Sequence, residues 1–395
     1  VFGPVADVNR NPRNPIIATR AFGTETATVE RLVQAYVEAA REAGLLTTAK
    51  HFPGHGNTHE DSHAMLPAVD DPAEETRAYD LPPFQAAIAA GTDLLMTAHV
   101  SYPGLDPSGQ PATRSRPILH ELLRDELGFE GVVITDSLHM GGIQDDTMTE
   151  ADVAVDLLSA GVDLLLDTKD PVGVIEGVTR AVEDGRLDEA VVDAAWTRTG
   201  RLRQRLRDRF GDGVFRDPSL AYPPSVVGAA DHAEAAAHVA RSSIRRMEGT
   251  LPDLGTGEGV LAILVKPAPA PNEPEELPFG DALRLHFPDA AYRELEPFHD
   301  EEDEPFEQLL VEAREAERLV VAVIVKPAAW HSFGLAARER RFVQTLVKLK
   351  PTVLAALGSP RGLEGYEGAI ARLCAYSDVP TSQRALAEVL AERSL

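Results

Sequence analysis

A single cysteine, Cys374, stands in a chain of 395 residues. One thiol can supply neither an internal disulfide framework nor a cysteine-based zinc site. Its place between Leu373 and Ala375, in an apolar run, marks it as a buried small hydrophobe. No apolar run approaches the roughly 18 residues of a membrane span, so no transmembrane helix is expected. Positive charge is scarce, with 38 Lys+Arg against 63 Asp+Glu and a net charge of −25. Such a surface repels phosphate backbones and argues against a nucleic-acid partner. There is no glycine-rich phosphate-binding fingerprint. The first residue is Val1 rather than methionine, and no signal segment follows it. An apolar fraction of 44% and a charged fraction of 26% exclude wholesale disorder. At about 150 residues per domain, the length points to two or three domains.

Before about residue 210, short apolar runs at 1–8, 45–50, 93–100, 131–136 and 162–167 read as buried parallel strands. Helical patterns lie between them at 28–43, 73–90, 118–127, 149–160 and 172–184. Several end at a glycine (Gly44, Gly91, Gly128, Gly161), as helix C-termini commonly do. This alternation predicts a parallel α/β fold. Polar residues gather where the strands end: Asn9, Arg10, Lys50, His51, His99 and Asp136. A (β/α)8 TIM-type barrel works at that face, and an open doubly wound sheet also binds at strand ends. Five units are legible where a closed barrel needs eight. The expectation is an N-terminally incomplete barrel in a chain that begins inside a longer gene product.

Residues 196–209 form a basic helical stretch, and 210–224 read as a linker. The barrel domain is therefore placed at 1–209 and a second α/β domain at 225–395. In that domain strands are predicted at 260–265, 319–325, 353–357 and 373–377, and helices at 231–247, 306–316, 336–349 and 382–392. A Pro- and Glu-rich insert at 267–278 and an acidic run at 294–307 read as exposed loops.

The densest chemistry is Lys50-His51-Phe52-Pro53-Gly54-His55-Gly56-Asn57-Thr58-His59-Glu60-Asp61-Ser62-His63. Its end formally matches H-E-x-x-H, so a zinc peptidase has to be weighed. That reading needs His59 and His63 on one face of a stable helix, with Glu60 activating water. Pro53, Gly54, Gly56 and Pro67 leave room for about two turns, without an apolar face or an evident third ligand. In an extended loop, residues two apart project to the same side, so Asp61 and His63 can pair. A carboxylate on one imidazole nitrogen fixes the tautomer and aims the other at a substrate. The bland alternative is a loop of satisfied surface histidines. A second candidate is Val132-Val133-Ile134-Thr135-Asp136-Ser137-Leu138-His139-Met140. Here a carboxylate ends a rigid strand, as a nucleophile requires, or else caps a following helix.

Taken together, KHFPGHG followed by Asp61-Ser62-His63, VITDSLHM around Asp136, and PVADVNRNPRNPIIATRAFG at 4–23 resemble glycoside hydrolase family 3, in its β-N-acetylglucosaminidase branch. The resemblance spans most of 1–215 and extends more weakly over the second domain, which is similar to the α/β sandwich that follows the barrel in two-domain members. It implies Asp136 as the nucleophile of a covalent glycosyl-enzyme, His63 as acid/base supported by Asp61, and Lys50, His51 and Arg20 as sugar contacts. The reaction it implies is retaining exo-hydrolysis of terminal β-linked GlcNAc from peptidoglycan fragments or chitooligosaccharides, without metal or organic cofactor. Members carry further sugar-binding residues, an Asp and an Arg, in a region upstream of that matching Val1. Three alternatives stand beside this reading: phosphorolysis at the same sites by a β-GlcNAc phosphorylase, a non-catalytic sugar-binding fragment, and the zinc peptidase.

Overall fold

The computed structural model describes residues 3–63, 65–143, 147–217, 220, 228–266, 277–295, 304–326 and 334–393. The chain divides into two compact units, Val1–Pro223 and Pro224–Leu395.

In the first unit, β1 (Thr48–Phe52), β2 (Leu94–Thr97), β3 (Val132–Ser137) and β4 (Leu164–Leu166) form an all-parallel sheet in the order β1-β2-β3-β4. The order follows the chain and never reverses, so the sheet has no switch point of the doubly wound kind. Among the described residues it is open and does not close into an eight-stranded barrel. The expected strand at 1–8 is reduced to one parallel bridge, Val5 to Lys50. Bonds from Thr48 N to Gly3 O and from Ala6 N to Lys50 O hold this segment beside β1. Pro4 has no N–H to give, which limits the ladder.

The connections are α1 (Thr26–Ala43), α2 (Ala73–Glu75), α3 (Pro82–Ala90), a π-wound helix over Pro117–Glu126, α4 (Glu150–Ala160), α5 (Pro171–Glu183) and α6 (Glu189–Phe210). Val29, Val33 and Val37, one helical turn apart, bury one stripe of α1, which stops at Gly44 with φ 81°. The helix expected at 73–90 is interrupted only at Leu81: α2 runs on as a π-wound turn over Thr76–Asp80, and Pro82, which suits a first helical turn but not an interior one, opens α3. One face of the sheet packs its apolar residues with Val33, Phe84, Leu119 and Leu157. On the other face Leu94, Met96, Val132 and Ile134 meet Leu202 of α6. Burial on both sides explains why these strands read as continuous apolar runs.

The second unit is a six-stranded sheet with helices on both faces. Its strands are β5 (Arg245–Gly249), β6 (Val260–Val265), β7 (Ala291–Leu295), β8 (Arg318–Val325), β9 (Thr352–Gly358) and β10 (Ala371–Cys374), in the order β5-β10-β9-β8-β6-β7. All pair in parallel except edge strand β5, which is antiparallel to β10. The helices α7 (Ala230–Ser243), α8 (Phe279–His286) and α11 (Pro380–Glu392) cover one face, and α9 (Glu304–Glu315) and α10 (Ala337–Leu349) the other. Two expectations need correction. The helix predicted at 231–247 stops at Ser243, and the chain turns into β5, whose exposed side chains carry no alternation to read. The strand predicted at 373–377 is shifted to Ala371–Cys374, and the chain leaves it through Tyr376 at φ 57°. Most of the insert at 267–278 and parts of 294–307 and 210–224 lie outside the described residues. No helix among the described residues is long and apolar enough to cross a membrane.

Candidate active site

The parallel register brings the C-terminal ends of β1, β2 and β3 side by side, and the chemistry lies there. β1 delivers Lys50 and His51, the residues just after β2 deliver His99, and β3 delivers Asp136. The Asp136 Oδ2 lies 3.8 Å from His51 Nε2, and its Oδ1 accepts the Ser137 amide at 2.8 Å. Burial pushes the Asp136 carboxyl up, but His51, His99, the Ser137 amide and Lys50 together hold it below the usual carboxylate range. The cap alternative fails on position, because among the described residues the next helix begins at Glu150 behind its own cap, Thr149. Burial, and then the nearby Arg20 charge, depress the Lys50 ammonium against the opposing pull of Asp136 and Asp7. Arg20, at the end of a single 3-10 turn, places Nη2 3.4 Å from His51 Nε2 and donates Nη1 to Ile16 O at 3.1 Å.

Behind His51 lies Asp7, which the sequence reading quoted within a motif but did not single out. Its side chain is fully buried. The Oδ2 accepts from His51 Nδ1 at 2.8 Å, while Oδ1 accepts the backbone amides of His51 (3.1 Å) and His55 (2.7 Å). Burial raises this carboxyl, but the paired His51 and the His55 amide outweigh it and bring it down to about 2. The two backbone amides on Oδ1 favour the ionised form.

The His-rich segment is a braced loop. Residues 59–63 are bends and turns and not a helix. His59 Nδ1 meets Asn11 Nδ2 at 3.1 Å, whereas His63 Nδ1 meets Asp61 Oδ1 at 2.7 Å. The two histidines of the H-E-x-x-H string thus serve different partners and do not share a helix face, which removes the geometry a zinc peptidase needs. Asp61 Oδ1 also accepts the His63 amide at 2.9 Å, closing a local turn that presets the dyad. Buried His55 spans the loop, with Nδ1 2.9 Å from Thr58 Oγ1 and Nε2 2.9 Å from Ser62 Oγ. From outside, Asn11 donates to Thr58 O and Asn14 to His55 O, both at 2.8 Å. Arg10, paired with buried Asp80 and with Asp71, and Tyr102, donating to Gly54 O at 2.8 Å, hold the preceding turn.

Two backbone bonds then dock this loop on the turn that follows Asp136. Gly141 N donates to His63 O at 2.9 Å and Gly142 N to Ser62 O at 3.1 Å. A Cβ on Gly142 would sit 2.8 Å from His99 O, so only glycine permits this approach. All six site residues singled out in the sequence, Asp136, His63, Asp61, Arg20, Lys50 and His51, belong to this one connected assembly. The residues missed there, Asp7, Asn11 and Asn14, act on a loop distant in sequence. The only signal that could have marked them was the polar density of 7–14.

His55 and His99 lie wholly inside the assembly. Burial is the main cause that brings both rings down to about 4. An unfolded chain takes up each of these protons near pH 6.5. Between about 6.5 and 4 the unfolded state therefore binds more protons, and stability present above 6.5 is lost as the pH falls. The expected loss between pH 6.5 and 5 is about 2 kcal/mol per histidine. Urea unfolding at the two pH values checks this, with His99→Gln expected to flatten the slope. Asp80, which burial raises to about 7, pulls the other way in both proteins, so equal pH slopes for the parent and His99→Gln would contradict it.

Residues 1–202 match the family profile described as the glycosyl hydrolase family 3 N terminal domain. The chain is 36% identical over 273 residues to "Beta-hexosaminidase A" of Pseudoalteromonas piscicida, covering 64% of this chain and 44% of that protein. To "Beta-N-acetylglucosaminidase/beta-glucosidase" of Cellulomonas fimi it is 33% identical over 265 residues, covering 64% of this chain and 46% of the other. It therefore spans about half the length of these curated relatives. Among solved structures, a glycoside hydrolase family 3 beta-N-acetylglucosaminidase from Paenibacillus sp. str. FPU-7 superposes with a TM-score of 0.85 at 27% identity. That match covers 100% of this chain and 74% of the other.

Proposed function

The chain belongs to glycosyl hydrolase family 3, and we propose that it is a retaining exo-β-N-acetylglucosaminidase acting on peptidoglycan fragments or chitooligosaccharides. One observation carries the reading. A strand-end carboxylate whose surroundings lower its pKa, Asp136, is followed by a turn on which the loop carrying the His63–Asp61 dyad is docked through the backbone carbonyls of Ser62 and His63.

In this mechanism Asp136 attacks the anomeric carbon, and His63 protonates the departing oxygen. A glycosyl ester forms on Asp136. His63, now neutral, takes a proton from water as that water attacks the same carbon and frees Asp136. Asp61 holds the His63 ring in one tautomer throughout. Lys50, His51 and Arg20 hold sugar hydroxyls at the same edge. Residues 1–209 make up the catalytic domain, with its four sequentially ordered parallel strands as part of a (β/α)8 barrel. Residues 210–224 form the linker, and 225–395 form an accessory α/β sandwich.

Two displacements at one carbon conserve configuration. With 4-nitrophenyl β-GlcNAc, NMR within the first minutes is expected to detect β-GlcNAc as the initial product. Initial α-GlcNAc would exclude the covalent route, and binding without turnover would favour a sugar-binding fragment. The dyad also motivates a second outcome. A base that is neutral when the acceptor arrives does not repel phosphate as a carboxylate would. GlcNAc 1-phosphate formed in phosphate buffer would identify a phosphorylase.

A further inference from the structure

We propose that Asp7 is a positioning residue that decides which nitrogen of His51 carries the proton, and thereby makes the His51 edge facing Asp136 and Arg20 a hydrogen-bond acceptor. Its effect on turnover rests on the glycosidase reading above, whereas the tautomer itself does not.

An ionised Asp accepts hydrogen bonds and donates none. Asp7 is fully buried, and its Oδ2 sits 2.8 Å from His51 Nδ1, so that nitrogen must carry hydrogen. In the neutral ring Nε2 then bears a lone pair. Two groups lie against that nitrogen. Arg20 Nη2 at 3.4 Å can only donate, and Asp136 Oδ2 at 3.8 Å can only accept. A lone pair on Nε2 suits the guanidinium and forms no bond to Asp136, so the attacking oxygen is left uncommitted. With the proton on Nε2 the preferences reverse. The ring would donate toward Asp136, tying up the nucleophile, and would present hydrogen against hydrogen to Arg20.

The other oxygen of Asp7 separates this role from simple bracing. Oδ1 alone takes both backbone amides, of His51 and His55, and so ties β1 to the turn after it. Asp7→Asn can keep Oδ1 on those two amides while placing an NH2 group against Nδ1. The backbone brace survives, and the ring must shift its proton to Nε2. Where a buried Asp fixes a catalytic histidine in this way, the Asn isostere preserves geometry and imposes the wrong tautomer. His51 is not the proton shuttle here. The expected loss is therefore nearer that of one misplaced polar contact at a reacting centre, about 100-fold in kcat/KM.

The test uses the full chain with 15N-labelled histidine, the His51 signals being assigned by their disappearance in His51→Gln. The parent protein is expected to show a protonated Nδ1 and a lone-pair Nε2, and Asp7→Asn the reverse. Thermal unfolding should stay within a few degrees of the parent. Turnover of 4-nitrophenyl β-GlcNAc should fall about 100-fold. A protonated Nε2 in the neutral ring of the parent overturns the proposal even if the variant does not fold. An unchanged tautomer in the variant, or a variant within threefold of parental kcat/KM, also overturns it. If the parent hydrolyses nothing, the glycosidase reading fails, and the nitrogen signals alone decide the role of Asp7.

Discussion

Asp136→Ala is expected to lower kcat/KM on 4-nitrophenyl β-GlcNAc by about 10⁴-fold, which corresponds to about 5.5 kcal/mol of transition-state stabilisation. The size follows from the role. A nucleophile is not one contact among several, because without it no glycosyl ester forms and the two-step path is closed. Alanine also takes away the negative charge that faces the developing oxocarbenium ion. The fold should tolerate the change. The Asp136 side chain is only part-buried, and among the described residues its one hydrogen bond is from the neighbouring Ser137 amide. Loss of such a bond costs about 1 kcal/mol, so thermal unfolding should shift by only a few degrees. A well-folded variant that keeps more than a tenth of parental activity would remove Asp136 from the nucleophile's place.

The second large effect concerns His63 and depends on the leaving group. General acid catalysis contributes about 10²–10⁴-fold when the departing oxygen is basic, and much less when it leaves readily as an anion. His63→Ala should therefore cost about 10³-fold on chitobiose and far less on a dinitrophenyl glycoside in the bond-breaking step. With the activated substrate the second step becomes limiting, because the base that should deprotonate water is gone. A burst of dinitrophenol followed by slow turnover is the expected trace. Equal losses on both substrates, with no burst, would mean that His63 supports structure and not proton transfer. The surroundings suit chemistry: the ring is only part-buried, and the Asp61 carboxylate on its Nδ1 holds it in one orientation.

Much of the site was legible because its key groups are encoded locally. Asp61 and His63 are two residues apart, and one short turn brings them to 2.7 Å. Asp136 and the Lys50-His51 pair end apolar runs that had to be strands, so their side chains had to meet at one end of a parallel sheet. The H-E-x-x-H string shows the opposite case. Its letters match a helix-borne motif, but prolines and glycines on both sides keep the backbone in turns, and a motif without its helix places no ligands together.

Of the fold, elements with an apolar stripe or a continuous buried run were readable, such as α1 with Val29, Val33 and Val37 and β8 with its near-complete burial. Strand β5 was not, since exposed residues on an edge have no period to display. Neither was the π-wound turn over Thr76–Asp80 between α2 and α3, nor the restart at Pro82.

The sequence by itself determined those strands and helices that carry an apolar stripe or a continuous buried run, where the candidate site residues sit along them, and that Asp61 can reach His63. Only the tertiary structure decided that Asp7 would lie behind His51, 44 residues away, that Asn14 would brace His55 across 41, and that Gly141 and Gly142 would bind the dyad loop to the Asp136 turn. The reason is physical. Periodicity and turn chemistry act over a few residues and leave a local trace, whereas a hydrogen bond between distant loops is set by the sheet that brings them together.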